Sequence, residues 1–217
     1  MQIVKMFLKL FQFFCYALFG ICDKIDGIMG ENCKFDKIHI MGASGSGATS
    51  LASALCGRLS RTHFDSDDYF WKNKYSEAWP SEVRLKNLAG ELAKVENWIL
   101  SGAIIDWGNP LIPLFDLVVF LSVPDEIRIR RLINREKERY GESILPGGEK
   151  HRDFVEFIEW AKRYEDGGTE VRSRYQQEQW LEDLSCPVLR IDGESSIEHN
   201  SEIVFDYIAD CQQEAGE

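Results

Sequence analysis

A chain of 217 residues has the length of one domain, or of one domain with an appendage. With 44% hydrophobic and 28% charged residues it can bury a core, which argues against a disordered, collagenous or coiled-coil chain. Its 25 Lys and Arg stand against 36 Asp and Glu, a formal charge of −11, which excludes tracking of a nucleic-acid backbone by clustered cations. A locally basic pocket for a small anion is still allowed.

Residues 1–33 differ from the rest. Phe7, Phe11, Phe13, Phe14 and Phe19 crowd the first nineteen positions, and Lys5 and Lys9 lead into an uncharged stretch from Leu10 to Cys22. That stretch is too short for a transmembrane helix, which needs about 18 residues or more. Basic residues before an apolar run imitate a signal peptide, but no small-x-small cleavage pattern follows. Three readings stand: a surface anchor making weak membrane contact through residues 4–22, a secretion signal, or an extension ahead of a start at Met29. The charges of this segment cancel, so residues 34–217 carry the whole −11.

From Lys37 strands and helices alternate. Lys37–Met41 is a short apolar run ending at a glycine, hence a buried strand. Thr49–Leu59 repeats apolar residues with helical period. A brief strand at Thr62–Phe64 runs into Asp65-Ser66-Asp67-Asp68. Ser81 is expected to cap a helix with Leu85, Leu88, Leu92 and Val95 on one face. Trp98–Leu100 and the wholly apolar Leu117–Leu121 are further strands. A long helix from Pro124, a glycine-containing loop at Gly141–Glu149, two more helical stretches, a strand at Pro187–Ile191 and a final helix complete the chain. The alternation predicts an α/β fold, a parallel sheet flanked by helices.

Between the first strand and helix stands Gly42-Ala43-Ser44-Gly45-Ser46-Gly47-Ala48-Thr49-Ser50. A glycine-rich turn opening a helix aims several backbone N–H groups and the helix dipole at one point, which suits a phosphate. Gly42, Gly47 and Thr49 fit G-x-x-x-x-G-K-[ST] in register, with Ala48 at the lysine position. Two rivals remain at this stage. One is a tight βα turn with no ligand. The other is a dinucleotide-binding turn, for which Gly45 to Ser50 lacks the last glycine while Asp65 lies near the distance of a ribose-binding acid.

These residues give the segment from about Lys37 to Ile191 a resemblance to the P-loop small-molecule kinases of the adenylate kinase and shikimate kinase superfamily. It is most similar to a bacterial adenylate-kinase-like group whose loop reads GASGSGTTT. The resemblance implies a parallel five-stranded sheet, ATP bound by residues 42–50, Mg²⁺ held by Thr49, and a lid around 136–175. Phe64-Asp65-Ser66-Asp67 resembles the F-D-x-D stretch of shikimate-kinase-like proteins, which would make Asp65 a metal residue acting through water and Asp67 the residue that orients an acceptor hydroxyl or serves as its base. The third-strand L-D-G of adenylate kinases reads Leu100-Ser101-Gly102 here, a loss of charge, with Asp106 and Asp116 nearby in uncertain register.

Arg128, Arg131, Arg135 and Arg139 fall on one arc of the helix after Pro124 at about 100° per residue. Like charges at i,i+4 disfavour a helix, so such a stripe suggests an anion to meet. Arg131-Leu132-Ile133-Asn134-Arg135 resembles the R-L-x-x-R element of these kinases, which implies that Arg131 and Arg135 stabilise the transferring phosphoryl group. Arg163, Arg172 and Arg174 could return to the site from the far side of the lid. Trp107, Trp160 and Trp180 fit buried packing better than base stacking. Cys15, Cys22, Cys33, Cys56, Cys186 and Cys211 form no C-x-x-C pair, as in a reducing, cytoplasmic compartment, and the four histidines lack metal spacing. The expectation is thus a cytoplasmic, Mg²⁺-dependent kinase passing the ATP γ-phosphate to a small-molecule or nucleotide acceptor. The alternatives are a nucleotide-binding regulatory module without catalysis, which Ala48 favours, and an NAD(P)-dependent oxidoreductase.

Overall fold

The computed structural model describes residues 34–214. The N-terminal segment 1–33, with its anchor, signal and extension readings, lies outside the described residues. Among those described, no helix is long and apolar enough to cross a membrane.

Strands β1 (Lys37–Gly42), β2 (Thr62–Asp65), β5 (Trp98–Ser101), β6 (Leu117–Ser122) and β7 (Val188–Asp192) form one sheet in the order β2-β5-β1-β6-β7. Every pairing in it is parallel. The expected α/β class with a five-stranded parallel sheet is therefore what the chain adopts. Strand β1 shows how the sequence produces it. Ile38 and Ile40 face one side, where α1 (Ala48–Leu59) contributes Leu51, Ala52 and Leu55 and α7 (Ile197–Glu214) contributes Val204 and Ile208. The alternate residues His39 and Met41 face the other side, covered by α3 (Ser81–Leu92) through Leu88 and Leu92 and by α6 (Arg174–Glu182) through Trp180 and Leu181. Period-two alternation in a central strand thus feeds two apolar cores, one on each face.

Three elements complete the frame. Helix α2 (Ser66–Phe70) follows β2 directly, α4 (Asp125–Tyr140) follows β6, and α5 (His151–Lys162) packs on α4 through Leu132, Ile158 and Ala161. The strand order separates two of the sequence readings. In the dinucleotide-binding fold the second strand lies beside the first, in the order 3-2-1-4-5-6. Here β5 lies between β1 and β2, so the turn at Gly45–Ser50 does not belong to that arrangement.

Local differences from the sequence reading have local causes. Ser81 is the first residue of α3 rather than its cap. Pro80 holds the cap position in extended geometry, and its carbonyl accepts from Val83 and Arg84. Val95 lies past the helix end. An antiparallel hairpin, β3 (Trp71–Asn73) with β4 (Glu77–Ala78), was not anticipated, because two- and three-residue strands carry no period and Lys74-Tyr75 is not a standard hairpin-turn pair. Gly141–Glu149 opens with a 3-10 turn, Gly141–Ile144, and is closed by bonds from Leu145 N to Glu142 O, Gly148 N to Leu145 O and Lys150 N to Ser143 O.

His39 is fully buried in β1. Its Nδ1 donates to Leu100 O at 3.0 Å, and its ring stacks on Phe115 at 5.0 Å. Burial, partly opposed by the Leu100 bond, pushes its pKa down from 6.5 to about 4. The unfolded chain therefore takes up a proton below pH 6.5 that the folded protein refuses until about pH 4. Stability is complete above the higher value and falls through this window by on the order of 3 kcal/mol. Urea unfolding of the wild type at pH 7.5 and pH 4 should show that loss, and the His39→Leu variant should lack this component.

Candidate active site

The loop 43–47 leaves β1 at the C-terminal edge of the sheet and enters α1 at Gly47, which offers no side-chain cap. The first N–H groups of α1 are therefore open to an anion. Gly45 has φ +86°, and a Cβ there would lie 2.8 Å from Arg128 O, so no other residue fits without displacing α4.

The loop is gripped from behind. The fully buried Arg128 donates through Nη1 to Ser44 O at 3.1 Å and through Nη2 to Ala161 O at 2.9 Å, pairs with the Asp125 carboxylate, and lies over the Tyr164 ring at 4.9 Å. Tyr164 donates to Gln177 Oε1 at 2.6 Å, and Gln177 Nε2 donates to Gly42 O at 3.1 Å. Arg131 donates to Ser46 O at 3.3 Å and to Gly193 O at 2.9 Å, in the turn after β7. Carbonyls of Gly42, Ser44 and Ser46 are thus occupied by side-chain donors from α4 and α6. Ala48, at the lysine position, is buried in the core against β1 and α7.

On the other flank, Thr49 Oγ1 donates to Asp65 Oδ2 at 3.1 Å, while Asp65 Oδ1 accepts from Asp67 N at 3.0 Å and caps α2. The capping reading and the metal reading of Asp65 therefore concern different oxygens of one carboxylate. A hydroxyl and a carboxylate are hard oxygen donors of the kind Mg²⁺ takes beside phosphate and water. No group of three or more His, Cys, Asp or Glu among the described residues could hold an ion by itself.

Asp67 stands one helical step away. Partial burial and the Asp65 carboxylate raise its pKa, against the opposing fields of Arg172, Arg135 and Lys74. The Arg135 guanidinium itself pairs with Glu136 at 3.1 Å and reaches Asp67 only through its field. Arg131 is committed to the backbone of the β1–α1 loop and the turn after β7. Ser101 pairs with Asp65 in register, and its hydroxyl lies 2.9 Å from His63 Nε2, whose Nδ1 lies 3.3 Å from Ser53 Oγ. Neither nearby acid replaces it. Asp116 accepts from the Asp36 and Lys37 N–H groups at the opposite end of β1, and Asp106 is exposed beyond β5. Arg163 and Arg174 pair with Glu170 at 2.8 Å and Glu165 at 2.6 Å respectively.

Sequence reasoning missed Arg84 and gave Arg172 no particular weight. Both line a cavity of about 390 Å³ with Trp107 and Trp160, beyond the end of β5. Trp180, by contrast, is buried and donates to Asn109 Oδ1 at 2.8 Å. Gly102, with φ +97°, makes the join between the acid cluster and this cavity. A Cβ there would lie 2.2 Å from Ser66 Oγ.

Comparison with known proteins sets the chain in its family. It is 46% identical over 172 residues to the "Uncharacterized protein YqaC" of Bacillus subtilis (strain 168), covering 79% of this chain and 97% of that protein. The chain belongs to the YqaC family. No family model matches it. Among solved structures, it is similar to shikimate kinase from Bacteroides thetaiotaomicron, with 19% identity and a TM-score of 0.48, covering 80% of this chain and 98% of that one. Similar likenesses extend to a gluconokinase from Sinorhizobium meliloti 1021 (15%, TM-score 0.48, 83% and 95%) and a deoxyadenosine kinase from M. mycoides (15%, TM-score 0.48, 80% and 99%). For this YqaC relative the fold is α/β, with a five-stranded parallel sheet flanked by helices.

Removing a partner from a buried ion pair costs about 3–5 kcal/mol. Arg128→Met should lose stability of that order in urea unfolding. Arg131→Gln, a half-exposed residue bonded to neutral carbonyls, should lose about 1 kcal/mol.

Proposed function

We propose that this member of the YqaC family is a cytoplasmic, Mg²⁺-dependent phosphotransferase that passes the ATP γ-phosphate to a small acceptor. One observation carries the reading: the Thr49 hydroxyl meets the Asp65 carboxylate at 3.1 Å where a glycine loop opens helix α1. Backbone N–H groups of residues 42–50 would bind the phosphates, with the helix dipole adding to their pull. Thr49 and Asp65 would hold Mg²⁺, which would offset the charge of the phosphates. Asp67 would orient the acceptor hydroxyl and accept its proton. Arg135, whose field reaches Asp67, would stabilise charge on the transferring group, while Arg131 supports the loop and the turn beside it. The strand order, the glycine loop and the acids after β2 all support an adenylate-kinase-like or shikimate-kinase-like arrangement.

A second reading, a nucleotide-binding module without catalysis, is favoured by two departures. Ala48 supplies no cation, and Ser101 supplies no carboxylate. Calorimetric titration of ATP into the full chain, with and without Mg²⁺, tests the shared part of both readings. Micromolar, metal-enhanced binding is expected. Thr49→Ala and Asp65→Asn should each remove roughly tenfold of that enhancement. A folded chain that binds no ATP overturns both. ADP release in a single-turnover assay with a metabolite library then separates them, since binding without turnover leaves only the module.

A further inference from the structure

Behind the Thr49–Asp65 contact runs a second set of polar contacts that phosphate binding does not use. Thr49 and Ser53 stand four residues apart on α1, hence on one face of it. His63 and Asp65 stand two apart on β2, and Ser101 pairs with Asp65 in register on β5. Where Thr49 meets Asp65, Ser53 meets His63. The Ser53 hydroxyl lies 3.3 Å from Nδ1, and the Ser101 hydroxyl lies 2.9 Å from Nε2. Ser101 is fully buried, His63 half-buried and Ser53 exposed. A serine held to a histidine also suggests a nucleophile, but Ser101 has no open face. Nδ1, moreover, meets a hydroxyl instead of the carboxylate that orients such a base.

The single ring proton fixes the direction of these bonds. Burial holds the His63 pKa below the ordinary 6.5, against the pull of Asp65 and Asp68, so at pH 8 the ring is neutral. With its proton on Nε2, Ser101 would accept, and the Ser101 proton would need another acceptor. Among the described residues the Ser101 hydroxyl makes no other hydrogen bond. A buried donor without an acceptor is unfavourable by about 1–3 kcal/mol. With the proton on Nδ1 that cost disappears. Ser101 then donates to Nε2, Nδ1 donates to Ser53, and the exposed Ser53 hydroxyl gives its own proton to water.

We propose that His63 is a positioning residue: its Nε2 accepts the Ser101 proton, which leaves Ser101 only lone pairs to offer beside Asp65. A free hydroxyl proton there would compete with a cation for the Asp65 carboxylate. Lone pairs act with the carboxylate instead, because water held by Mg²⁺ presents its protons outward. The serine thereby keeps the acceptor character of an acid without its charge, and Ser53 holds the ring in the tautomer that makes this possible. The benefit to Mg²⁺ rests on the kinase reading, whereas the direction of the bonds does not.

Ring ¹⁵N spectra of the labelled full chain at pH 8, without ATP, test the bonds directly, with His63→Gln assigning the signal. A ring protonated mainly on Nδ1 is expected, and one protonated mainly on Nε2 overturns the inference. Calorimetric titration of ATP with and without Mg²⁺ then tests the positioning. His63→Phe and Ser101→Ala should each reduce the metal enhancement by about tenfold, and the double variant should lose no more than either alone. His63→Gln, whose amide accepts at one end and donates at the other, should retain most of the enhancement. Full enhancement in His63→Phe or in Ser101→Ala overturns the inference, as does equal loss in the Gln and Phe variants. Thermal unfolding identifies any variant that fails to fold, and Ser101→Ala, which removes one oxygen, then decides. A folded chain that binds no ATP overturns the kinase reading and with it the benefit to Mg²⁺, while the ring spectrum still decides the direction of the bonds.

Discussion

The structure around the glycine loop depends on one buried guanidinium. A loop that turns its N–H groups toward a ligand needs partners for its carbonyls, and each buried carbonyl left unmatched is unfavourable by about 1–3 kcal/mol. Arg128 meets that need for Ser44 and at the same time holds Ala161 O, at the end of α5. One side chain therefore ties the loop, α4 and the segment after α5 into a single unit. Gln177 and Tyr164 extend the tie to Gly42 and α6. The like-charge stripe on α4 thus divides its labour. Arg128 and Arg131 serve the loop's carbonyls, and Arg135 pairs with Glu136.

Charge has been redistributed relative to the P-loop pattern. Ala48 removes a cation from above the loop and Ser101 removes an anion from the end of β5, so the two losses offset in net charge. Ser101 is drawn into a chain with His63 and Ser53, in register beside Asp65. The cations left near the acids, Arg135 and Arg172, come from α4 and from the segment between α5 and α6. A loop organised by Arg128 needs no lysine to hold its shape, which separates the loop's architecture from its charge.

Much of this was legible in the chain. The β1–α1 motif announces itself because glycine spacing and an apolar strand are local properties, and the short apolar run Lys37–Met41, ending at a glycine, predicts a buried strand. Asp65 and Asp67 were legible for the same reason, as acids placed directly after a strand. The role of Arg131 was not. Spacing puts it on one arc with Arg135, but only the turn after β7, 62 residues away in sequence, supplies the Gly193 carbonyl that holds it. Arg84 carried no sequence signal, since an arginine in an amphipathic helix reads as a solvated face. The 3-10 turn at Gly141–Ile144 and the hairpin at Trp71–Ala78 were hidden because short elements have no period.

By itself the sequence determined the class of fold, the position of the glycine loop and the acids that stand near it. Each depends on residues within a few positions of one another and on backbone geometry that such neighbours dictate. Tertiary structure alone decided the strand order that puts β5 between β1 and β2, the bonds that commit Arg131 to the carbonyls of the loop and of the turn after β7, and the placing of Arg84 and Arg172 in the lining of one cavity. Those outcomes follow from long-range packing, where a side chain's partner is chosen by which surfaces must be buried rather than by its place in the chain.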